Sequence, residues 1–281
     1  MSANYVAYRL AQGLSARLPP SLAVQCAVRL ADTWSRCAVQ ERAAIRRNLS
    51  TVLGTAAPRS SLIREVFRNF GRYLVEFFTM HQTPQPDVRV EGYEHVTDAR
   101  RRGRGTIVLT AHLGNWELAA VLLARMGLPI SVVALPHDDP RLDGLFNRQR
   151  ERCGIRVIPL GAGAARHSLE RLREGGLLGM LGDREFTGHG LAVSAFQREL
   201  TLPRGPAALS LRGQAPVVPA FLIREEPWKF RFCFEPPIWP RAEGSPARPS
   251  IQTLTQRYAE VLERYVRRFP EQWLIFEPVV G

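Results

Sequence analysis

The sequence predicts an α/β protein with a mixed, mostly parallel sheet that is flanked by helices and preceded by an N-terminal helical segment. From residue 88 onward, short apolar runs alternate with helical stretches of roughly 10 to 15 residues, a pattern typical of parallel sheets. The uncharged, β-branched run at residues 106–110 indicates a strand buried on both faces. Residues 229–235 alternate in polarity and follow the apolar run at 217–223 after a short turn, so we expect one antiparallel strand there.

The N-terminal segment, residues 1–83, is predicted to contain four helices. In the first helix, apolar residues recur every four positions from Val6 to Leu18, until a Pro-Pro pair ends the helix. The Thr-Pro-Gln-Pro stretch at residues 83–86 is predicted to be a joint. The chain would then consist of a membrane-associating helical segment and an α/β domain at residues 84–281.

Two parts of the helical segment allow two interpretations. With Tyr5, Tyr8 and the flanking arginines, the first helix either lies on a membrane surface or docks on the rest of the protein. The apolar and aromatic stripe at residues 62–78 is aromatic enough to face lipid, but packing in a core is the commoner meaning of such a stripe.

A polar hexapeptide, His112 to Glu117, follows the buried strand at 106–110 and precedes an apolar helix. Open α/β sheets bind ligands at the carboxyl ends of their strands, so this histidine and this carboxylate are candidate site residues. Five residues turn a helix by about 140°, at roughly 100° per residue, so His112 and Glu117 cannot share a helix face. We expect Gly114 to bend the backbone and Asn115 to cap the helix. The Glu117 carboxylate could then reach the imidazole, which predicts a general base held by a carboxylate.

The balance of charge predicts an anionic partner. The net charge is +12, and Lys229 is the only lysine among 38 basic residues. Codon bias explains the choice of arginine over lysine, but it does not explain a surplus of basic over acidic residues. The arginine cluster at residues 100–104 contains no aromatic residue, so we expect no nucleic-acid partner. An anionic membrane surface fits better, since each basic group near it contributes roughly 1 kcal/mol.

Several other classes of protein are disfavoured by missing motifs. A hydrophobic content of 45% argues against a disordered chain. No serine lies in a G-x-S-x-G motif, and the glycines at residues 161–163 lack the third glycine of a dinucleotide site. The four cysteines have no zinc-site spacing, and a general base held by a carboxylate needs no metal, so we expect no metal and no cofactor. No apolar stretch reaches the ~18 residues that span a bilayer, and no signal-peptide pattern opens the chain, so we expect a cytoplasmic protein. His189, between two glycines, has no role that the sequence explains.

The hexapeptide His-Leu-Gly-Asn-Trp-Glu resembles the H-x4-[DE] signature of the lysophospholipid acyltransferase superfamily. In its H-x-G-N-W-E form it resembles the branch of bacterial lipid A late acyltransferases and phosphatidylinositol mannoside acyltransferases. Five further motifs agree in the order in which they occur along the chain: Arg47-Asn48-Leu49, Arg150-Glu151-Arg152-Cys153-Gly154, Leu181-Gly182-Asp183-Arg184-Glu185, Leu202-Pro203-Arg204-Gly205-Pro206-Ala207-Ala208-Leu209 and Pro270-Glu271-Gln272-Trp273. The resemblance covers roughly residues 40–275.

The resemblance implies an enzyme that moves a fatty acyl group from a carrier thioester, acyl-CoA or acyl carrier protein, to a hydroxyl of a lipid or glycolipid. It places the protein peripherally at the cytoplasmic face of the cell membrane, with anionic lipid as the partner surface. His112 would take the proton from the acceptor hydroxyl and Glu117 would stabilise the imidazolium, a form of help worth on the order of 10² to 10⁴ in rate.

The resemblance also implies a set of substrate-binding residues, to which Asn115 belongs. Arg150 and Arg184 would bind phosphate or a charged acceptor group, with a surface salt bridge as the alternative. Asp183 and Glu185 would bind acceptor hydroxyls or orient those arginines.

Two departures bear on the acceptor. Leu-Ile-Phe-Glu-Pro follows the Pro-Glu-Gln-Trp motif where lipid A enzymes usually carry an aromatic and a basic cluster, and the sequence opens without their hydrophobic anchor. Both differences favour the mannoside-type branch or a relative with another acceptor. The competing hypothesis is a non-catalytic, basic lipid- or polyanion-binding protein that retains the acyltransferase fold.

Overall fold

A computed structural model describes residues 3–82, 86–241 and 249–279. The described part of the chain contains helices at α1 (Ala3–Arg17), α2 (Pro20–Cys37), α3 (Val39–Leu53), α4 (Ser60–Thr79), α5 (Tyr93–Arg101), α6 (Trp116–Arg125), α7 (Pro140–Arg152), α8 (Ala164–Arg173), α9 (Gly205–Gly213) and α10 (Ile251–Arg268). The strands are β1 (Asp87–Glu91), β2 (Thr106–Thr110), β3 (Ile130–Ala134), β4 (Arg156–Pro159), β5 (Leu177–Leu181), β6 (Leu191–Ala195), β7 (Arg198–Leu202), β8 (Val217–Glu226) and β9 (Lys229–Phe234).

Seven strands form one sheet in the order β1-β9-β8-β2-β5-β3-β4. The five strands from β8 to β4 run parallel, β9 is antiparallel to β8, and β1 is parallel to β9. The predicted mixed, mostly parallel sheet is confirmed, including the antiparallel strand at residues 229–235. β2 lies in the middle of the sheet, which explains its uncharged, β-branched sequence.

The two faces of the sheet contribute to two separate hydrophobic clusters. On β2, Ile107 and Leu109 are fully buried in a cluster with α8, α9 and α10, whereas Val108 is buried in a cluster with α4, α6 and α7. This alternation follows from the two-residue period of a strand. The sheet is therefore covered by helices on both faces.

The N-terminal helices pack against each other, and α4 shares a hydrophobic cluster with the sheet. The stripe on α4 is buried: Val66, Phe67, Phe77 and Phe78 have no exposed surface, which confirms the core interpretation. The predicted joint falls largely on residues 83–85, which lie outside the described part of the chain, so the division into two domains stays a prediction.

Two elements differ from the sequence analysis. A hairpin of β6 and β7 was missed because its turn residues, Phe196 and Gln197, adopt positive φ angles of 53° and 59° without the Asn or Gly that usually marks such turns. Helix α5, which includes the start of the arginine cluster at residues 100–104, was not predicted, because this charged helix buries only Val96 and Ala99. Within the described ranges, no helix has the length and apolarity needed to cross a membrane.

Candidate active site

The loop after β2 carries the hexapeptide, and one glycine allows its course. Gly114 has a φ of +65°, and a Cβ atom at this position would lie 2.0 Å from the carbonyl oxygen of Leu222. Asn115 then caps α6, because its side-chain oxygen accepts a hydrogen bond from Leu118 N at 2.9 Å. The predicted bend and helix cap are both confirmed.

Backbone hydrogen bonds fix this loop between two other segments. Asn115 N donates to Leu222 O of β8 at 2.9 Å. On the other side, Gly114 N donates to Gln272 O at 3.0 Å, and Leu274 N donates to His112 O at 2.7 Å. The C-terminal segment around the Pro-Glu-Gln-Trp motif therefore holds the loop that carries His112.

The hydrogen-bond partner of the imidazole is Asp183, at the end of the neighbouring strand β5. His112 Nδ1 lies 2.9 Å from Asp183 Oδ1, and His112 N donates to Asp183 Oδ2, also at 2.9 Å. Trp273 Nε1 donates to the same Oδ2 atom at 2.9 Å. Burial disfavours the charged carboxylate, but the attraction of His112 and the hydrogen bonds from His112 and Trp273 outweigh it and lower the pKa of Asp183. A charged Asp183 fixes the tautomer with the proton on Nδ1, so that Nε2 is the basic atom.

Glu117 does not contact the imidazole, so the predicted His112–Glu117 pair is wrong. Its carboxylate binds the guanidinium of Arg150, with Nη2–Oε1 at 2.6 Å and Nε–Oε2 at 3.0 Å. No hydrogen bond joins Glu117 to His112 in the ranges that the structure describes. The reason is geometric, because α6 begins at Trp116 and directs the next side chain toward α7, whereas the end of β5 lies beside the end of β2.

Asn115, predicted to bind substrate, is fully buried and both ends of its amide are used. While its oxygen caps α6, its Nδ2 donates to Glu76 Oε2 of α4 at 2.7 Å. Glu76 in turn forms a buried ion pair with Arg224 of β8. This network joins the loop, α4 and the sheet, so both polar atoms of the Asn115 side chain hold the loop in place, and its substrate-binding role stays a prediction.

A cavity of about 1030 Å³ opens beside His112. Its apolar part lies between the sheet and helices α4, α6 and α7, and includes Val108, Ala120, Val132, Gly179 and Phe146. Its polar part contains the following groups near the ends of the strands: His112, Glu117, Arg150, Arg184, Glu185 and His189. A volume of this size is at the upper end for small-molecule sites, which reach roughly 1,000 Å³.

The remaining predicted substrate-binding residues differ in the hydrogen bonds and ion pairs that already occupy their side chains. The Arg150 guanidinium is neutralised by Glu117 and also donates to Asn147 Oδ1 at 3.0 Å. Arg184 lies over the ring of Phe186 and pairs with Glu277, and Glu185 accepts hydrogen bonds from Thr187. Arg184 and Glu185 line the cavity, and their substrate roles stay predictions. The described cavity lining does not include Asp183, whose carboxylate is hydrogen-bonded to the His112 imidazole.

The sequence alone does not reveal the roles of four residues at the site: Trp273, Glu76, Arg224 and Gln272. Trp273 and Gln272 belong to the Pro-Glu-Gln-Trp motif, so a signal existed, but the motif does not tell which atoms they bind. Glu76 lies within the α4 stripe, where a charged residue among buried neighbours is itself a signal. Its partner Arg224 is 148 residues away and cannot be found by spacing.

A histidine whose Nδ1 is held by a buried carboxylate, at the edge of a largely apolar cavity, can act chemically as a general base toward a substrate with a long apolar part. A family profile described as bacterial lipid A biosynthesis acyltransferase matches residues 6–279. The chain belongs to this family, and it is an acyltransferase. It is 27% identical over 244 residues to a phosphatidylinositol mannoside acyltransferase of Mycolicibacterium smegmatis, which covers 83% of this chain and 78% of the relative. A lipid A biosynthesis acyltransferase of Haemophilus influenzae is 24% identical over 189 residues, or 65% of this chain and 56% of that relative.

Proposed function

We propose that the protein transfers a fatty acyl group from a thioester of CoA or acyl carrier protein to a hydroxyl of a membrane glycolipid, with His112 as general base and Asp183 as its orienting carboxylate. The observation that carries the proposal is the 2.9 Å bond between His112 Nδ1 and the buried Asp183, beside a cavity of about 1030 Å³. We thus assign the orienting role to Asp183 and not to Glu117, the carboxylate that the sequence motif indicates.

The reaction follows from the tautomer. His112 Nε2 accepts the proton of the acceptor hydroxyl. At the same time, the oxygen of that hydroxyl attacks the carbonyl carbon of the thioester. The tetrahedral intermediate collapses, the carbon–sulfur bond breaks, and the imidazolium returns the proton to the departing thiolate. Asp183 stabilises the imidazolium between these steps, as a carboxylate does in hydrolase triads. The acyl chain occupies the apolar part of the cavity, and the acceptor approaches from the polar part.

A mannoside-type glycolipid is the acceptor class we favour. Similarity to the phosphatidylinositol mannoside acyltransferase extends over 83% of the chain, against 65% for the lipid A enzyme. The acceptor-side groups Arg184 and His189 provide donors for the phosphate and hydroxyl groups of such a headgroup.

Labelled palmitoyl-CoA and palmitoyl-acyl carrier protein, each incubated with vesicles that contain phosphatidylinositol mannosides or a lipid A precursor, test this function. We expect the wild-type protein to label the mannosides, and His112→Ala to reduce the rate by about 10² to 10⁴. His167→Ala is the matched control, because His167 is an exposed histidine on α8 outside the described cavity lining. Equal labelling by wild type and His112→Ala would exclude His112 as the base. Labelling of the lipid A precursor alone would exclude the mannoside acceptor.

We further propose that α1 and α2 rest on an anionic membrane surface. Leu10, Leu14 and Leu30 are 61%, 54% and 66% exposed, an unusual apolar surface for a protein without a partner there. Beside them, a groove of about 660 Å³ is lined by Arg9, Arg17, Arg148 and Arg152. Arg148 and Arg152 form no ion pair with any residue that the structure describes. Such a surface can receive both acyl chains and phosphates.

Flotation with vesicles of phosphatidylglycerol or of phosphatidylcholine tests the membrane surface. We expect wild type to float with phosphatidylglycerol, and Leu10→Glu with Leu14→Glu to stay at the bottom. Val90→Glu is the control, since Val90 is a 42% exposed apolar residue on the edge strand β1. Flotation of the double variant to the same extent as wild type would place the membrane contact elsewhere.

A further inference from the structure

Two buried hydroxyl groups on β2, those of Thr106 and Thr110, have no hydrogen-bond partner among the described residues. Buried polar atoms are almost always bonded, so an orphaned hydroxyl calls for an explanation. The two positions differ in one respect. Thr110 lines the cavity beside His112, whereas the described lining does not include Thr106. Only Thr110 therefore offers its unused donor to a bound substrate.

The position of Thr110 along β2 matches the order of groups in an acyl donor. Val108 and Thr110 lie on the same face of β2 and both line the cavity, as does His112 in the loop that follows the strand. Val108 and Thr110 are about 6.6 Å apart along the strand, at roughly 3.3 Å per residue, and His112 follows Thr110 two residues further along the chain. With the acceptor oxygen at His112 and the alkyl chain over Val108, the thioester carbonyl lies between them, next to Thr110.

The backbone of Thr110 is fixed before any substrate binds. Its carbonyl oxygen accepts a hydrogen bond from Gly182 N at 2.9 Å, next to Asp183. The strand pairing of Thr110 with Leu181 holds it from the same side. A donor on such a rigid element costs no reorganisation when charge develops on the substrate.

We propose that the Thr110 hydroxyl is a further catalytic group, which donates a hydrogen bond to the carbonyl oxygen of the thioester and to the oxyanion that forms from it. This inference rests on the proposed function. When the acceptor oxygen attacks, the carbonyl π electrons move to the oxygen, and Thr110 stabilises that negative charge. When the intermediate collapses, the electrons return, the carbon–sulfur bond breaks, and His112 gives its proton to the thiolate. Thr110 stays protonated throughout.

Thr110→Val tests the assignment, with Thr110→Ser and Thr106→Val as matched variants. Removal of an oxyanion donor lowers kcat by about 10² to 10³, so we expect this loss in Thr110→Val with KM for palmitoyl-CoA changed less than about threefold. Thr110→Ser should restore kcat to within about tenfold of wild type, because serine retains the hydroxyl. Thr106→Val should keep the wild-type kcat.

The melting temperatures of the variants give a second measurement, which distinguishes a catalytic role of Thr110 from a merely structural one. Replacing an unpaired buried hydroxyl with a methyl group removes a desolvation cost, so both valine variants should melt at or above the wild-type temperature. Binding of S-hexadecyl-CoA, a thioether without the carbonyl, should be equal in wild type and Thr110→Val and would show an intact cavity. Loss of kcat without loss of stability or thioether binding supports the proposal.

The failures of the two proposals are distinguishable. An active wild type and inactive His112→Ala, together with wild-type kcat in Thr110→Val, would overturn the Thr110 assignment and leave the proposed function standing. A higher KM at unchanged kcat in Thr110→Val would also overturn it, since the hydroxyl would then serve binding alone. A wild-type protein that transfers no acyl group from either donor would overturn both.

Discussion

Asp183 and Glu117 are buried carboxylates that follow the neighbouring strands β5 and β2, and they do different things. Asp183 and Glu117 have side chains that are 5% and 6% exposed, and each is paired with a nitrogen group. The partner of Asp183 is an imidazole, which has a neutral form that can accept a proton, whereas the partner of Glu117 is the guanidinium of Arg150, which keeps its charge. Only the first pair can take part in proton transfer. The second pair joins α6 to α7 beside the cavity.

The comparison shows that the spacing of a motif identifies residues without assigning their partners. Glu117 is five residues from His112, and Asp183 is 71 residues away, yet the distant residue makes the contact. Adjacent parallel strands bring their carboxyl ends together, and β2 pairs with β5. The partner of a residue at a strand end is therefore found on the neighbouring strand.

The largest expected difference between the His112–Asp183 pair and the Arg150–Glu117 pair is in their effect on kcat. In Asp183→Asn, the amide nitrogen would face Nδ1 and move the imidazole proton to Nε2, so the base would be lost. Such a change in a hydrolase triad costs about 10⁴, and we expect kcat to fall by roughly 10³ to 10⁴ with little change in KM. Acyl transfer from labelled palmitoyl-CoA measures it. A kcat within tenfold of wild type would show that Asp183 does not set the tautomer.

The next largest effect is on stability, in the other pair. Glu117→Gln leaves the Arg150 charge buried without its partner, which costs about 3–5 kcal/mol in the free energy of unfolding. Urea unfolding followed by circular dichroism measures this loss. The double variant Glu117→Gln with Arg150→Met should recover part of it, because the unpaired charge is then gone. If Glu117→Gln instead kept its stability and lost kcat as Asp183→Asn does, Glu117 would be the catalytic carboxylate.

Much of the fold could be predicted because its signals are local. Strand β2, the bend at Gly114 and the cap at Asn115 follow from residue types whose conformational preferences act over a few positions. The mixed sheet followed from the alternation at β9 and the short turn before it. The β6–β7 hairpin was not predictable in this way, since the conformation of its Phe196–Gln197 turn opposes their local preferences.

The site was predictable as a set of residues but not as a set of contacts. His112, Arg150 and Asp183 were all singled out, and all lie within the same region. Their pairing depends on strand order, because β5 rather than β3 lies beside β2, and no spacing in the sequence encodes that order. The contact between Asn115 and Glu76 was not predictable for the same reason, since Glu76 comes from α4.

A smaller effect is expected for Asn115, which supports the loop between the two pairs. Asn115→Ala removes a helix cap worth about 1 kcal/mol and leaves Glu76 with one hydrogen bond fewer, so we expect a loss of about 2 kcal/mol in unfolding free energy. Asn115→Ser retains a capping oxygen and should lose about half as much. KM for palmitoyl-CoA should stay unchanged in both. A raised KM in Asn115→Ser at wild-type stability would support the predicted substrate-binding role of Asn115.

The smallest expected effect is the dependence of stability on pH that Asp183 contributes. Its folded pKa lies below the ordinary value, so its contribution to stability is present above the unfolded pKa of about 3.9 and is lost as the pH falls through the folded pKa. The effect is small because burial opposes the charged form that His112 and Trp273 favour. Urea unfolding of wild type and Asp183→Asn between about pH 5 and pH 2 measures this effect. The difference between their free energies of unfolding should narrow below about pH 4. The control compares Glu117→Gln with the double variant Glu117→Gln, Asp183→Asn. Because these two proteins also differ only in Asp183, the difference in their free energies of unfolding should narrow over the same pH range. A difference between wild type and Asp183→Asn that grows as the pH falls would mean that the buried Asp183 is protonated more readily in the folded protein, and that its charge is not what holds the imidazole.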